Sequence, residues 1–67
     1  MMQTIINESS VPVGRIKSFG PFGPKYEVGQ VLRPSENGDW MIEVTMIETG
    51  EKVEYRFSHL IDDPDAQ

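Results

Sequence analysis

The 67-residue sequence has no cysteine, one histidine and one tryptophan. None of its apolar runs approaches the roughly 20 residues of a membrane-spanning helix. The missing cysteines exclude disulfide stapling and agree with a reducing cytoplasm. A lone histidine and no thiol exclude the usual structural zinc site. The N-terminus also lacks a charged stretch followed by an apolar one, so no signal peptide is expected. A chain this short buries only about 60% of the surface it exposes when unfolded, so its stability must come from one compact core, to which self-association or a partner could add. The hydrophobic fraction is a modest 37%.

Positive charge is scarce as well: six Lys and Arg face eleven Asp and Glu, for a net charge of −5. The excess is uneven. Residues 1–35 carry Arg15, Lys17, Lys25 and Arg33 against Glu8 and Glu27, a balance of +2. Residues 36–67 set Lys52 and Arg56 against nine acids, a balance of −7. Phosphate backbones and anionic lipids repel such a chain, so neither nucleic acid nor membrane is an expected partner.

The apolar pattern has period two, the mark of half-buried strands. Residues 1–10, with an apolar spot at Ile5 and Ile6, are expected to be a loose N-terminal segment. A strand is expected from Val13 to Phe19, and another from Lys25 to Arg33 with Tyr26, Val28 and Leu32 facing the core and Gln30 as the exception. The clearest strand runs from Trp40 to Ile47, with Trp40, Ile42, Val44 and Met46 on one face. A last strand, Lys52 to Ser58, alternates Val53, Tyr55 and Phe57 against Glu54 and Arg56. Between the second and third strands, Asn37-Gly38 calls for positive φ. The doubled Phe19-Gly20-Pro21 and Phe22-Gly23-Pro24 reads as a stiff connector. In polyproline II geometry it would hold both rings on one side, roughly 9 Å apart. Leu60 and Ile61 are expected to fold back as an apolar lid. The fold class is therefore mainly β, or α+β with little helix: a small antiparallel meander of three to four strands in one domain, residues 11–61, followed by an acidic tail, 62–67.

The hairpin register follows from parity. A two-residue loop at Thr49-Gly50 would pair Met46 with Val53, Val44 with Tyr55 and Ile42 with Phe57, and would set Glu43 opposite Arg56. A four-residue loop keeps the faces intact but opposes Glu43 and Glu54, an unfavourable like-charge pair. Pattern thus favours the shorter loop.

Few residues suggest chemistry. Glu43, Arg56 and His59 resemble the base, phosphate clamp and acid of a small nuclease or hydrolase, but the expected register puts His59 on the opposite face. No catalytic residue and no enzyme activity are expected. His59 with Asp62, Asp63 and Asp65 could be read as a cation site, yet Pro64 breaks the run and no glycine supplies a calcium loop's sharp turn. No metal and no cofactor are expected. Trp40, Tyr55, Phe57 and Tyr26 are placed as a sheet core rather than a base-stacking platform, since Asp39, Glu43 and Glu54 flank them. Pro21-Phe22-Gly23-Pro24 matches a short proline-rich motif, and Phe19 with Phe22 would form either a cover over the sheet's open end or a ledge for a partner.

The stretch from Gly14 to Gly29, with its doubled Phe-Gly-Pro, and the stretch from Glu48 through His59-Leu60 to Asp62-Asp63-Pro64 resemble a small bacterial family carried as a domain of unknown function. The resemblance spans about Val11 to Ala66. It implies a short, stand-alone, cytoplasmic bacterial protein and brings no activity or catalytic residue. The expected function is a non-enzymatic protein-interaction module or accessory regulator. An acidic inhibitor or antitoxin-like protein covering a basic partner is the alternative, and a minimal hydrolase ranks last. The residues expected to meet a partner are Phe19, Pro21, Phe22 and Pro24, with Glu48, Glu51, Glu54, Asp62, Asp63 and Asp65.

Overall fold

Alternating apolar residues give four strands in the computed structural model, which describes residues 11–66. They are β1 (Ile16–Ser18), β2 (Lys25–Pro34), β3 (Trp40–Met46) and β4 (Lys52–Arg56), followed by a single helical turn, α1 (Phe57–Leu60). The strands form one antiparallel sheet in the order β1-β2-β3-β4, a meander. The expected segment 1–10, with Ile5 and Ile6, lies outside the described residues.

One face of the sheet holds the core. Tyr26, Val28, Ile42 and Val44 are buried there, and Val11 and Leu60 close over them. Phe19, Val31, Trp40, Met46, Val53, Tyr55 and Phe57 pack around that cluster. Leu32 does not join it. Two register irregularities in β2 intervene, and Val31 is the residue set opposite Ile42. The bulge inserts an extra residue and thereby resolves the exception that Gln30 made to strict alternation.

The hairpin register differs from the expected one. Val44 lies opposite Val53, Ile42 opposite Tyr55 and Glu43 opposite Glu54. The loop is therefore four residues, 47–50, closed by Met46 N–H to Glu51 O and Gly50 N–H to Met46 O, both 2.7 Å. Gly50 supplies the left-handed φ of +76° that ends such a loop. The like-charge pair is tolerated because a third strand intervenes: Arg33 of β2 reaches over β3 and grips both Glu54 oxygens.

Two further expectations change. Polyproline II geometry fails at Gly20, whose φ is +73°. The connector turns instead of running straight, so Phe19 goes into the core while Phe22 stays in solvent. The last strand stops at Arg56, because Asp39 caps a helical turn there. Its carboxylate accepts from the Ser58 hydroxyl at 2.7 Å and from the Trp40 and Ser58 amides at 2.8 and 3.1 Å. The Ser58 hydroxyl bond, aided by these amides, holds the Asp39 carboxyl below its ordinary value. Asp39→Ala is expected to cost about 0.5–2 kcal/mol, as loss of an N-terminal cap does, read as a shift in denaturant midpoint. In the wild type the same stabilisation is complete above the ordinary carboxylate pKa. It is lost as pH falls through the lower, folded value.

Residues 62–66 do not form a free tail. Beyond α1 the chain crosses the core face and docks on the outer edge of β1. There Ser18 N–H donates to Pro64 O at 3.1 Å and Ala66 N–H to Ile16 O at 2.8 Å. Lys17 and Asp65 lie opposite each other in this antiparallel addition. The sequence hides this docking because acidic side chains at a chain end look solvated until their partners are placed.

Candidate functional site

Ten residues stand as partner-binding candidates, and the fold sorts them into two groups. The first group belongs to the end of the sheet where β1 turns into β2 and β3 into β4. Ile47 N–H donates to Lys25 O at 3.1 Å, which joins the two loops at that end. Phe22 is 98% exposed on the first loop, between exposed Pro21 and Pro24, and Glu48 and Glu51 are exposed on the second. Ile47 is half exposed beside them.

The loop that carries Phe22 is built to a fixed shape. Phe19 N–H donates to Pro24 O at 3.1 Å across its neck, and the Ser18 hydroxyl donates to Gly20 O at 2.6 Å. Gly23 passes so close to Phe19 that a Cβ there would lie 1.9 Å from the Phe19 carbonyl oxygen, so only glycine fits. Phe19 itself anchors the loop. Its ring centroid lies 4.5 Å from that of Tyr26 and 4.9 Å from that of Tyr55. Phe19 is therefore core, and Phe22 alone of the pair is a surface.

The second group is engaged by other side chains of the chain itself. Asp63 Oδ2 accepts from both tyrosine hydroxyls, Tyr26 at 2.7 Å and Tyr55 at 2.9 Å, while Gly20 N–H approaches Oδ1 at 3.4 Å. Asp65 pairs with Arg15 at 2.9 Å and Lys17 at 3.6 Å. Glu54 is held by Arg33. Of the six acids, Glu54 and Asp65 are paired at the surface, while Glu48, Glu51 and Asp62 are exposed with no ion-pair partner among the described residues.

Burial, reinforced by the bond to Asp63, raises the Tyr26 phenol far above its ordinary value and pushes Tyr55 up to about 12. Both phenols are thus held neutral, the reverse of what a nucleophilic tyrosine needs. The sign for stability follows. Unfolded tyrosine loses its proton near pH 10 and the folded phenols keep theirs, so the contribution is complete below about pH 10. For Tyr55 it is lost as pH rises from there to about 12. Unfolding midpoints are expected to fall over that interval, and Tyr55→Phe to flatten the slope.

Of the three residues that resemble a nuclease centre, two share the outer face of the sheet and the third lies on α1. Glu43 faces Glu54 and Arg56 faces Met41 on the outer side of the sheet. His59 sits on α1, its ring 5.9 Å from that of Tyr55. Among the described residues no three His, Asp or Glu side chains converge as metal ligands would. Sequence reasoning overlooked the Tyr26–Asp63–Tyr55 hub. The available signal was two tyrosines on the core side of different strands, each with a hydroxyl that needs a partner once buried.

A profile of a family of unknown function (DUF5397) matches residues 3–67, and the chain belongs to that family. It is 46% identical over 57 residues to an uncharacterized protein of Haemophilus influenzae, covering 85% of this chain and 90% of the relative.

Proposed function

We propose that this protein acts by binding another protein, with Phe22 as the central contact, and that it does so in the cytoplasm without catalysing a reaction. The observation that carries the reading is a large aromatic side chain, 98% exposed, on a loop closed across its neck by the Phe19–Pro24 backbone bond. Exposed aromatics held rigid lose little entropy on binding and are typical interface anchors. Pro21, Pro24 and Ile47 supply an apolar surround, and Glu48 and Glu51 a polar rim. The open edge at β4 is a poorer contact, because exposed Lys52, Glu54 and Arg56 disfavour pairing with another strand. Internal pairing of Glu54, Asp63 and Asp65 weakens the acidic-inhibitor alternative, since half of its proposed charge already has a partner. Absent cysteines support the cytoplasmic placement, and no helix among the described residues is long and apolar enough to cross a membrane.

Phe22→Ala is expected to leave the unfolding midpoint within about 0.5 kcal/mol of wild type, as for surface positions generally. The same change is expected to abolish retention of the partner. Paired pull-downs from the native host, with light scattering of the purified proteins, make the comparison. A folded Phe22→Ala protein that retains every species the wild type retains would defeat the proposal.

A further inference from the structure

We infer that the outer edge of β1, with Arg15, Lys17, Tyr26 and Tyr55, is a binding site for an extended acidic Asp-x-Asp segment of another protein. In this structure residues 63–66 of the chain itself fill it. The inference does not rest on the Phe22 contact.

The bound strap shows what the site recognises. Ser18 N–H and Ile16 O supply the two backbone bonds of a short antiparallel strand, which Pro64 O and Ala66 N–H complete. This is strand addition, in which main-chain bonds give affinity and side-chain pockets give selectivity. The selectivity comes from two carboxylates two residues apart. Asp63 takes both tyrosine hydroxyls, and Asp65 takes Arg15 and Lys17. Lys17 is the independent sign that an anion belongs there. Its side chain is only 10% exposed and shares the core side with Tyr26, yet among the described residues its one ion-pair partner is Asp65. A nearly buried ammonium whose counter-charge, among the described residues, comes from the strap marks a site for carboxylate. Pro64 suits the extended backbone the site demands.

Occupation in cis makes the strap a competitor. A tethered segment acts at an effective concentration in the millimolar range, so a free ligand binds with its intrinsic affinity reduced by the fraction of molecules whose strap is open. Weakening the strap within the full chain must therefore strengthen binding in trans.

The test uses the full chain and a synthetic peptide of residues 61–67. The double variant Asp63→Asn/Asp65→Asn is expected to bind this peptide at least tenfold more tightly than wild type does. A peptide with both aspartates replaced by asparagine is expected to show no such gain. Light scattering is expected to report monomers throughout. Should the variant fail to fold, amide exchange on the wild type decides the question. Saturating peptide is expected to accelerate exchange at Ala66, whose strap is displaced, while Ser18 stays protected by the peptide's own carbonyl. Failure of a folded variant to bind the peptide would overturn the inference, as would unchanged Ala66 exchange at millimolar peptide. Concentration-dependent dimers without peptide binding would also overturn it, in favour of straps exchanged between copies of the chain.

Discussion

Asp63→Ala is expected to destabilise the fold by about 2–4 kcal/mol, since a buried donor left without an acceptor costs about 1–3 kcal/mol and this carboxylate serves two. Tyr26 carries most of the loss because the residue is 0% exposed, whereas Tyr55 is only partly covered and water can reach it more easily. A domain of this length has about 3–10 kcal/mol in total, so the variant should sit close to its unfolding transition at ordinary temperatures. Asp63→Asn should lose less, because the amide oxygen can still accept from both hydroxyls. Its NH2 group, however, would face the Gly20 N–H that now approaches Oδ1. A cycle separates the hub from simple packing. In a Tyr26→Phe/Tyr55→Phe background, Asp63→Ala should cost well under half of its wild-type value, measured by denaturant midpoints. An equal cost in both backgrounds would mean that the carboxylate does not act through the hydroxyls. Gly20 extends the effect to the surface. It belongs to the loop that presents Phe22, so loosening Asp63 should weaken partner binding even with Phe22 intact.

How much of this was legible depends on how many strands a feature involves. Within one strand, alternation placed Ile42, Val44, Val53 and Tyr55 on the core side, and the turn residues placed Asn37 at positive φ, observed at +64°. The hairpin register needed more. Judged on two strands, Glu43 opposite Glu54 looked prohibitive, and only Arg33, from a strand further on, makes it acceptable. The two phenylalanines of the doubled motif have the same neighbours in sequence yet opposite fates. The cause is tertiary: Gly20 turns the chain, and Gly23 must pass against the Phe19 carbonyl. The strap was the least legible part. Its acids find Tyr26, Tyr55, Arg15 and Lys17 at separations of 8 to 50 residues. No local pattern encodes such contacts, although an amphipathic Lys17 on the Phe19 side of β1 was a hint that an anion would be required.

Leu60→Ala should cost about 2–5 kcal/mol, which places it with the most damaging single substitutions in the chain. Leu60 is 0% exposed, and it comes from the segment that, among the described residues, crosses from the β4 side over the core face toward β1. Truncating it opens a cavity above Ile42 and Val44 that a single helical turn cannot collapse to fill. The neighbouring Ile61 provides the control. It is equally apolar and adjacent in sequence but 55% exposed, so Ile61→Ala should stay within about 0.5 kcal/mol of wild type. Sequence alone treats the two as one lid; the helical turn divides them, and Asp39 fixes that turn through Ser58. The strap offers a second readout. Because Leu60 anchors the chain just before Asp63, Leu60→Ala should accelerate amide exchange at Ser18 and Ala66 by more than it accelerates exchange in β3. Global unfolding would speed all of these amides alike, whereas a lid that holds the strap must release the β1 edge first. Equal costs for Leu60→Ala and Ile61→Ala, or uniform exchange across β1 and β3, would show that the crossing segment covers the sheet without holding it.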